Sequence, residues 1–286
     1  MAALGTGALG AQEACFQGSV DYDGPCYFDA PRWVGEFASL SANGLLGALT
    51  GGLSRYLDGG SFRDGFVEGA LGGSIVYAGK RTAAESFAGA GFIGRSVAAV
   101  GASSVRNVSR GDPLFSRLTF PLGPLWVEFD TPTREVSARL DPVALGWMAY
   151  GISEPELELD WGGSFSDGTP VFKTHNKVLK LGGDTIHVAG VTNAGIVYSA
   201  DVPAYGPGHA RRHRAHEQVH VIQEDQLAIM WTDPLGRWAM GRTARLRRLR
   251  SGLAVNLSTE ILRLLGHAVP EHGDRPWEVE SVFFAR

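Results

Sequence analysis

Residues 214–223 read Arg-Ala-His-Glu-Gln-Val-His-Val-Ile-Gln, and this stretch decides how the C-terminal third of the chain is organised. His216 and His220 are four residues apart, so in an α-helix they lie one turn apart on the same face. Val219 and Ile222 give the helix an apolar face for docking onto a core. The pattern predicts a packed helix that presents two imidazole rings side by side.

The chemistry of this segment points to a metal ion. Zn²⁺ binds imidazole nitrogens at about 2.0–2.1 Å, and catalytic zinc sites keep one position open for water or substrate. Zinc lowers the pKa of such a water to about 7, and Glu217, beside the first histidine, can act as its general base. We therefore predict Zn²⁺ as the cofactor, His216 and His220 as ligands, and Glu217 as the catalytic group. The alternative is a surface helix that binds no metal.

The sequence HEQVH resembles the H-E-x-x-H motif of zincin metallopeptidases. With Gln223 included, HEQVHVIQ is similar to bacterial zincin-like families that carry a glutamine one turn past the second histidine. The longer metzincin form is absent, because no glycine and third histidine follow at the expected spacing. The resemblance covers residues 206–286 and implies a peptide hydrolase whose third zinc ligand lies elsewhere in the chain. Residues 1–205 resemble no family known to us.

Gluzincin-like families take their third ligand from a glutamate on a later helix. The corresponding segment here is Pro276–Ser281, although Ser281 stands where those families usually have alanine. The resemblance implies Glu280 as the third ligand, with Glu278 as the alternative. On a helix the two side chains point about 200° apart, so only one could face the metal, whereas on a strand they would share a face. An exposed acidic segment without ligands is the remaining interpretation.

Glycine is abundant, with 39 residues, and many of them recur every three or four positions between residues 39 and 109. That spacing predicts about three helical pieces whose backbones pack closely, because glycine otherwise weakens a helix by about 1 kcal/mol relative to alanine. The longest uncharged run, Phe37–Ser54, is half polar or glycine. It therefore favours a compact or membrane-adherent unit over a spanning helix. We expect residues 39–105 to contact a membrane or a membrane complex.

The segment before the motif helix has the residue pattern of β-strands. Alternating and β-favouring residues, separated by turn signals such as Asp167-Gly168 and Gly182-Gly183, predict an antiparallel sheet. The whole chain is therefore predicted to be α+β, with Gly-rich N-terminal helices, a middle antiparallel sheet and a C-terminal helical zincin-like module. The predicted divisions are residues 1–14 as a signal-peptide remnant, 15–115 as the Gly-rich helical region, 116–205 as the β region and 206–286 as the motif module.

Composition and the N-terminal residues bear on partners and location. The net charge of −4 and pI near 6.1 give no reason to expect nucleic acid as a partner. Residues 2–11 are small and apolar, like the end of a secretory signal peptide, and Cys15 and Cys26 would form a natural disulfide in an oxidising compartment. These features predict a cell-envelope location, periplasmic or secreted.

The sequence thus predicts a zinc-dependent peptide hydrolase of the cell envelope that acts on a peptide or protein substrate. Tyr198 and Tyr205 precede the motif and are candidates for stabilising an oxyanion. The first alternative is a non-catalytic structural or assembly protein, whose degenerate zincin-like module packs through the Gly-rich helices against a membrane or partner. The second is a pore-forming or lipid-interacting module built on residues 39–105.

Overall fold

The computed structural model of the 286-residue chain covers its α+β core. It describes residues 32–174, 179–181, 184–186, 190–200, 206–242, 246, 249, 251–268 and 275–284. The predicted signal-peptide remnant, the Cys15–Cys26 pair, the Gly182-Gly183 turn and Tyr205 lie outside the described residues.

The N-terminal part is a layer of three helices, which confirms the helical interpretation of the glycine pattern. The helices are α1 (Arg32–Leu57), α2 (Phe62–Ala83) and α3 (Ala90–Ser109). Glycine permits their close, antiparallel approach: a Cβ atom on Gly51 would lie 2.5 Å from the carbonyl oxygen of Gly65. On the other side of α2, a Cβ on Gly101 would lie 2.6 Å from the carbonyl oxygen of Gly72. Small residues therefore let the backbones themselves form the interface.

Two sheets follow the helical layer. The first is an antiparallel meander of β1 (Arg117–Leu122), β2 (Leu125–Asp130) and β3 (Glu135–Leu140). The second has the order β4-β5-β9-β8, formed by β4 (Glu158–Leu159), β5 (Val171–Thr174), β8 (Gly190–Asn193) and β9 (Ile196–Ala200). A separate antiparallel pair consists of β6 (Leu179–Leu181) and β7 (Asp184–Ile186).

The middle region differs from the predicted all-antiparallel sheet in two respects. Strands β5 and β9 pair in parallel, because the chain forms β6, β7 and β8 before it returns beside β5. Two helices, α4 (Pro142–Ser153) and α5 (Trp161–Asp167), also interrupt the strands. The expected hairpin turn at Asp167-Gly168 is instead the end of α5, where Gly168 adopts φ of 67° and caps the helix.

The C-terminal part is helical, as predicted. It contains α6 (Gly206–Leu227), a π-helical turn (Ala228–Thr232), α7 (Asp233–Arg242), α8 (Ser258–Ala268) and α9 (Pro276–Phe284). Helical structure continues through Asp233-Pro234, because Leu227 and Asp233 both have right-handed helical φ and ψ and the π-helical turn joins α6 to α7. Helix α8 begins at Ser258.

Helix α6 joins the helical layer to the sheet. Ile222 shares a core with Ala98, Ala102 and Val105 of α3, while Val221 packs with valines of β5 and β9. Across the same layer, the buried guanidinium of Arg95 pairs with Asp225 at 2.6 Å. These contacts fix the rotation of α6, and with it the direction of the two motif histidines. Among the described helices, none is long and apolar enough to cross a membrane.

Candidate metal centre

Helix α6 brings the two motif histidines together, as the four-residue spacing predicts. The Nε2 atoms of His216 and His220 lie 3.0 Å apart. Both side chains are partly buried, and their rings meet edge to face. Two nitrogen donors are therefore aimed at one point on the helix surface.

The third donor comes from α9. The Oε2 atom of Glu278 lies 3.1 Å from His220 Nε2 and 3.5 Å from His216 Nε2. A tetrahedral ion with bonds of 2.0–2.1 Å holds its ligand atoms about 3.3–3.4 Å apart. The three observed distances agree with this geometry to within a few tenths of an ångström. His216, His220 and Glu278 thus form a group of ligand atoms able to hold a metal, with a fourth position left for water.

Glu280, the residue favoured by the resemblance, lies elsewhere. Its carboxylate accepts hydrogen bonds from Ser39 Oγ at 2.8 Å, Asn43 Nδ2 at 2.6 Å and Lys80 Nζ at 2.7 Å. Because α9 is a helix, Glu278 and Glu280 point in different directions, and the structure brings Glu278 to the histidines. Burial would raise the pKa of Glu280, but the Lys80 ammonium and the other donors hold it below its usual value.

Gln223 connects these two carboxylate environments. Its Nε2 donates to Glu280 Oε2 at 2.9 Å and to the carbonyl oxygen of Trp277 at 3.0 Å, which fixes the orientation of the amide. The Oε1 atom therefore faces His220 Nδ1, at 2.9 Å, and accepts a hydrogen bond from its N–H. This contact leaves the Nε2 lone pair of His220 directed at the metal position. The sequence motif includes Gln223, and the structure adds its contact with His220.

The charged side chains around the histidine pair favour the binding of a cation. Burial would lower the pKa of His220, but the adjacent Glu278 carboxylate, with a contribution from Glu217, raises it to about 9. Burial raises the pKa of Glu224 to about 7. Glu224 lies one turn after His220 and accepts hydrogen bonds from Thr259 and the backbone N–H of Gly195. The carboxylates of Glu278 and Glu217, which act on His220, also attract a cation to this point.

Glu217 is buried between α6 and strand β8. Its Oε2 accepts a hydrogen bond from Thr192 Oγ1 at 2.8 Å, and its Oε1 lies 3.9 Å from His213 Nδ1. The carboxylate is therefore held in one orientation against β8, and it is close enough to His220 to contribute to the raised pKa of that ring. Thr192 was not identified from the sequence, because the contact joins residues 25 positions apart in a strand and a helix.

Tyr198, the predicted oxyanion-stabilising residue, does not point to the histidine pair. Tyr198 is buried in β9 and donates its hydroxyl to the carbonyl oxygen of Trp147 at 2.6 Å. Burial raises the pKa of Tyr198, so the phenol stays protonated. The hydroxyl thus serves packing between β9 and α4 and is not directed at the histidine pair.

Comparisons with known proteins add no relative to this picture. No family model, curated protein or solved structure matches the chain.

Proposed function

We propose that the chain is a zinc-dependent peptide hydrolase, in which His216, His220 and Glu278 hold the ion and Glu217 is the general base. The observation that carries this proposal is the convergence of three ligand atoms, 3.0–3.5 Å apart, beside a buried carboxylate. Structural zinc sites usually have four protein ligands, whereas three leave the open position that catalysis requires.

A zinc ion at this point would polarise a water molecule and the substrate carbonyl group. Glu217, oriented by the Thr192 hydroxyl, accepts the proton of the attacking water. The same carboxyl group then delivers that proton to the amide nitrogen of the leaving group. Gln223 keeps the His220 ring in the correct tautomer throughout, because its amide orientation is fixed by Glu280 and Trp277.

Strand β8 supports a peptide as the substrate. It ends the order β4-β5-β9-β8, so its outer edge pairs with no other described strand of this sheet. An extended peptide can add to such an edge through its backbone hydrogen bonds. Because Thr192 of β8 contacts Glu217, a peptide on this edge would pass beside the catalytic groups.

A cell-envelope location stays part of this proposal, supported by the apolar residues 2–11 and by Cys15 and Cys26. The second candidate function is a non-catalytic structural or assembly role. The observation that favours it is the tie between α2 and α9, where Lys80 pairs with Glu280 at 2.7 Å. This ion pair connects the Gly-rich helical layer to α9, the helix that carries Glu278, as a structural role would require.

The test combines metal content with hydrolysis. We expect one zinc per chain in the wild type and in Glu217→Gln, and little zinc in His220→Ala, by elemental analysis. Glu217→Gln should lower peptide hydrolysis by about 10²–10⁴-fold, because it removes the general base. Glu135→Gln, an exposed position on β3, is the matched control and should keep full activity. Full zinc with unchanged hydrolysis in Glu217→Gln would refute the mechanism, and zinc without any peptidase activity would favour the scaffold.

A further inference from the structure

Four arginine side chains from different elements surround one carboxylate, that of Glu128 on β2. Its oxygen atoms lie 3.4–4.0 Å from guanidinium nitrogens of α3, β1, β3 and α7. The Glu128 side chain is 11% exposed, so most of this arginine cluster lies beneath the surface. One carboxylate carries one negative charge and cannot neutralise four guanidinium groups. The four members are Arg106, Arg117, Arg139 and Arg237.

Two further carboxylates pair with the arginine cluster, and both are already engaged. Asp130 pairs with Arg117 at 3.3 Å and also accepts hydrogen bonds from Thr133. Asp233 pairs with Arg139 at 2.6 Å and accepts a hydrogen bond from a backbone N–H. Four guanidinium groups therefore meet three carboxylates.

Arg237 has the weakest compensation of the four. Its only ion pair within the described part of the chain is with Glu128, at 4.0 Å. Its Nε and Nη1 atoms are buried and have no hydrogen-bond partner. Its Nη2 atom is accessible to solvent and also has no hydrogen bond to any described residue, and the side chain is 19% exposed. An anion that approaches from solvent can therefore contact a guanidinium group whose donors are unused.

Arg110 adds a fifth guanidinium group on the solvent side of the cluster. It follows α3 directly and is exposed, and its side chain has no ion pair or hydrogen bond with any described residue. Partial burial of the guanidinium group and then the charge of Arg117 lower its pKa, and Asp112 opposes them less strongly. The charge of Arg110 also helps to lower the pKa of Arg237, which burial lowers most. Because Arg117 is 36% exposed, three positive charges reach solvent close to one another.

A phosphate group has the charge and the shape that this cluster lacks. Five guanidinium groups and three paired carboxylates leave two positive charges. A phosphate monoester carries about −1.5 to −2 at pH 7, and its oxygen atoms match the planar fork of arginine donors. A carboxylate ligand would leave one positive charge uncompensated. Arg106 and Arg139 are buried, so they contribute charge from the interior without touching the ligand.

We propose that Arg110, Arg117 and Arg237 bind a phosphate group at the accessible side of the arginine cluster. Two sources share this chemistry, a soluble phosphate ester and the headgroup of a phospholipid, and the experiment separates them. The site lies at α3, β1 and α7, whereas the metal ligands are on α6 and α9. It therefore depends neither on zinc nor on peptide hydrolysis.

The first arm titrates the full chain, kept metal-free in chelator, with inorganic phosphate by calorimetry at constant ionic strength. We expect one saturable site in the wild type. Arg110→Gln and Arg237→Gln should each weaken the affinity at least tenfold, because each removes a charge-assisted hydrogen bond to the anion. Arg32→Gln is the matched control: it removes the same charge from a 71% exposed side chain at the start of α1 and should keep the wild-type affinity.

Thermal unfolding separates loss of the site from loss of the fold. Without phosphate, Arg110→Gln should unfold at or above the wild-type temperature, because its side chain has no partner to lose and is repelled by Arg117. Phosphate should raise the unfolding temperature of the wild type and of Arg32→Gln, but not that of Arg110→Gln. A variant that is stable without phosphate and insensitive to it has lost only the site.

The second arm measures flotation of the same proteins with phosphatidylcholine vesicles, with and without phosphatidic acid. Flotation that requires phosphatidic acid, and that Arg110→Gln and Arg237→Gln lose while Arg32→Gln retains it, identifies a phospholipid headgroup as the source. Phosphate binding without flotation identifies a soluble phosphate ester. Saturable binding in neither arm, or equal binding by the wild type and both cluster variants, would overturn the proposal.

Discussion

Substitution of Glu278 and of Glu280 by glutamine should produce two different defects, although the residues are two positions apart. Glu278→Gln removes the anionic oxygen that lies 3.1 Å and 3.5 Å from the histidine nitrogens. Loss of a residue that only supports a ligand typically costs 10–100-fold in metal affinity. Loss of a ligand should exceed that, so we expect zinc affinity to fall by more than ~100-fold.

Glu280→Gln should mainly destabilise the fold. It leaves the Lys80 ammonium, which is 2% exposed, without its carboxylate partner. Breaking a buried ion pair from one side costs about 3–5 kcal/mol. Zinc affinity should fall by no more than ~10–100-fold, because Glu280 acts on the metal only through Gln223 and His220.

Two measurements separate these outcomes. Competition with a chromophoric chelator gives the zinc affinity, and urea unfolding in chelator gives the stability of the metal-free protein. Glu278→Gln should unfold at a higher urea concentration than Glu280→Gln, because an amide can still hydrogen-bond the histidines and His220 can release its proton, whereas Glu280→Gln leaves Lys80 without its carboxylate partner. If Glu280→Gln lost zinc as severely as we expect of Glu278→Gln, while Glu278→Gln kept it, the assignment of the third ligand would be refuted.

Three further substitutions test other contacts: one at Gln223, one at the N-cap of α4 and one between α1 and α2. Gln223→Leu should weaken zinc binding about 10–100-fold in the chelator competition, because Gln223 orients the His220 ring. The control Gln226→Leu, one turn away, should leave zinc binding unchanged. Equal effects of the two substitutions would contradict the positioning role of Gln223. Burial raises the pKa of Asp141, the N-cap of α4, to about 6, so its ionisation destabilises the fold as pH rises from about 4 to 6. Asp141→Asn should therefore raise the free energy of unfolding by roughly 3 kcal/mol at pH 7.5 and hardly at pH 4 by urea titration, and a pH-independent gain would disprove this. Gly51→Ala should lower stability by about 1–3 kcal/mol, because the new Cβ would clash with α2. Gly44→Ala, whose Cβ has ordinary contacts, should raise stability by about 0.5–1 kcal/mol. Thermal unfolding tests both variants, and equal shifts would show that close helix approach does not explain the glycine at position 51.

Features determined by local spacing were predicted well from the sequence. The glycine periodicity predicted the three helices of the N-terminal layer, and residue alternation predicted the β-structure of the region that contains β2 and β3. The histidine pair follows from helical geometry alone, because both residues lie on α6. Local propensity and local partners are sufficient in these cases.

Features determined by distant partners were not predicted. The choice between Glu278 and Glu280 depends on Lys80, which is 200 residues from Glu280 and attracts it into a separate network. The parallel pairing of β5 with β9 likewise depends on how the chain returns after β8. Periodicity carries no information on either, because it describes one element at a time.

The separation of the proposed metal ligands along the chain has a consequence for biosynthesis. Glu278 follows His220 by 58 residues, which takes about 3–12 s at typical rates of protein synthesis. During that interval the helical layer and α6 have been made, but the histidine pair has no carboxylate partner. A nascent chain therefore offers only a weak two-nitrogen site to passing metals. With the proposed ligand set, stable zinc loading would come only after α9 has docked, into a protein that is already folded.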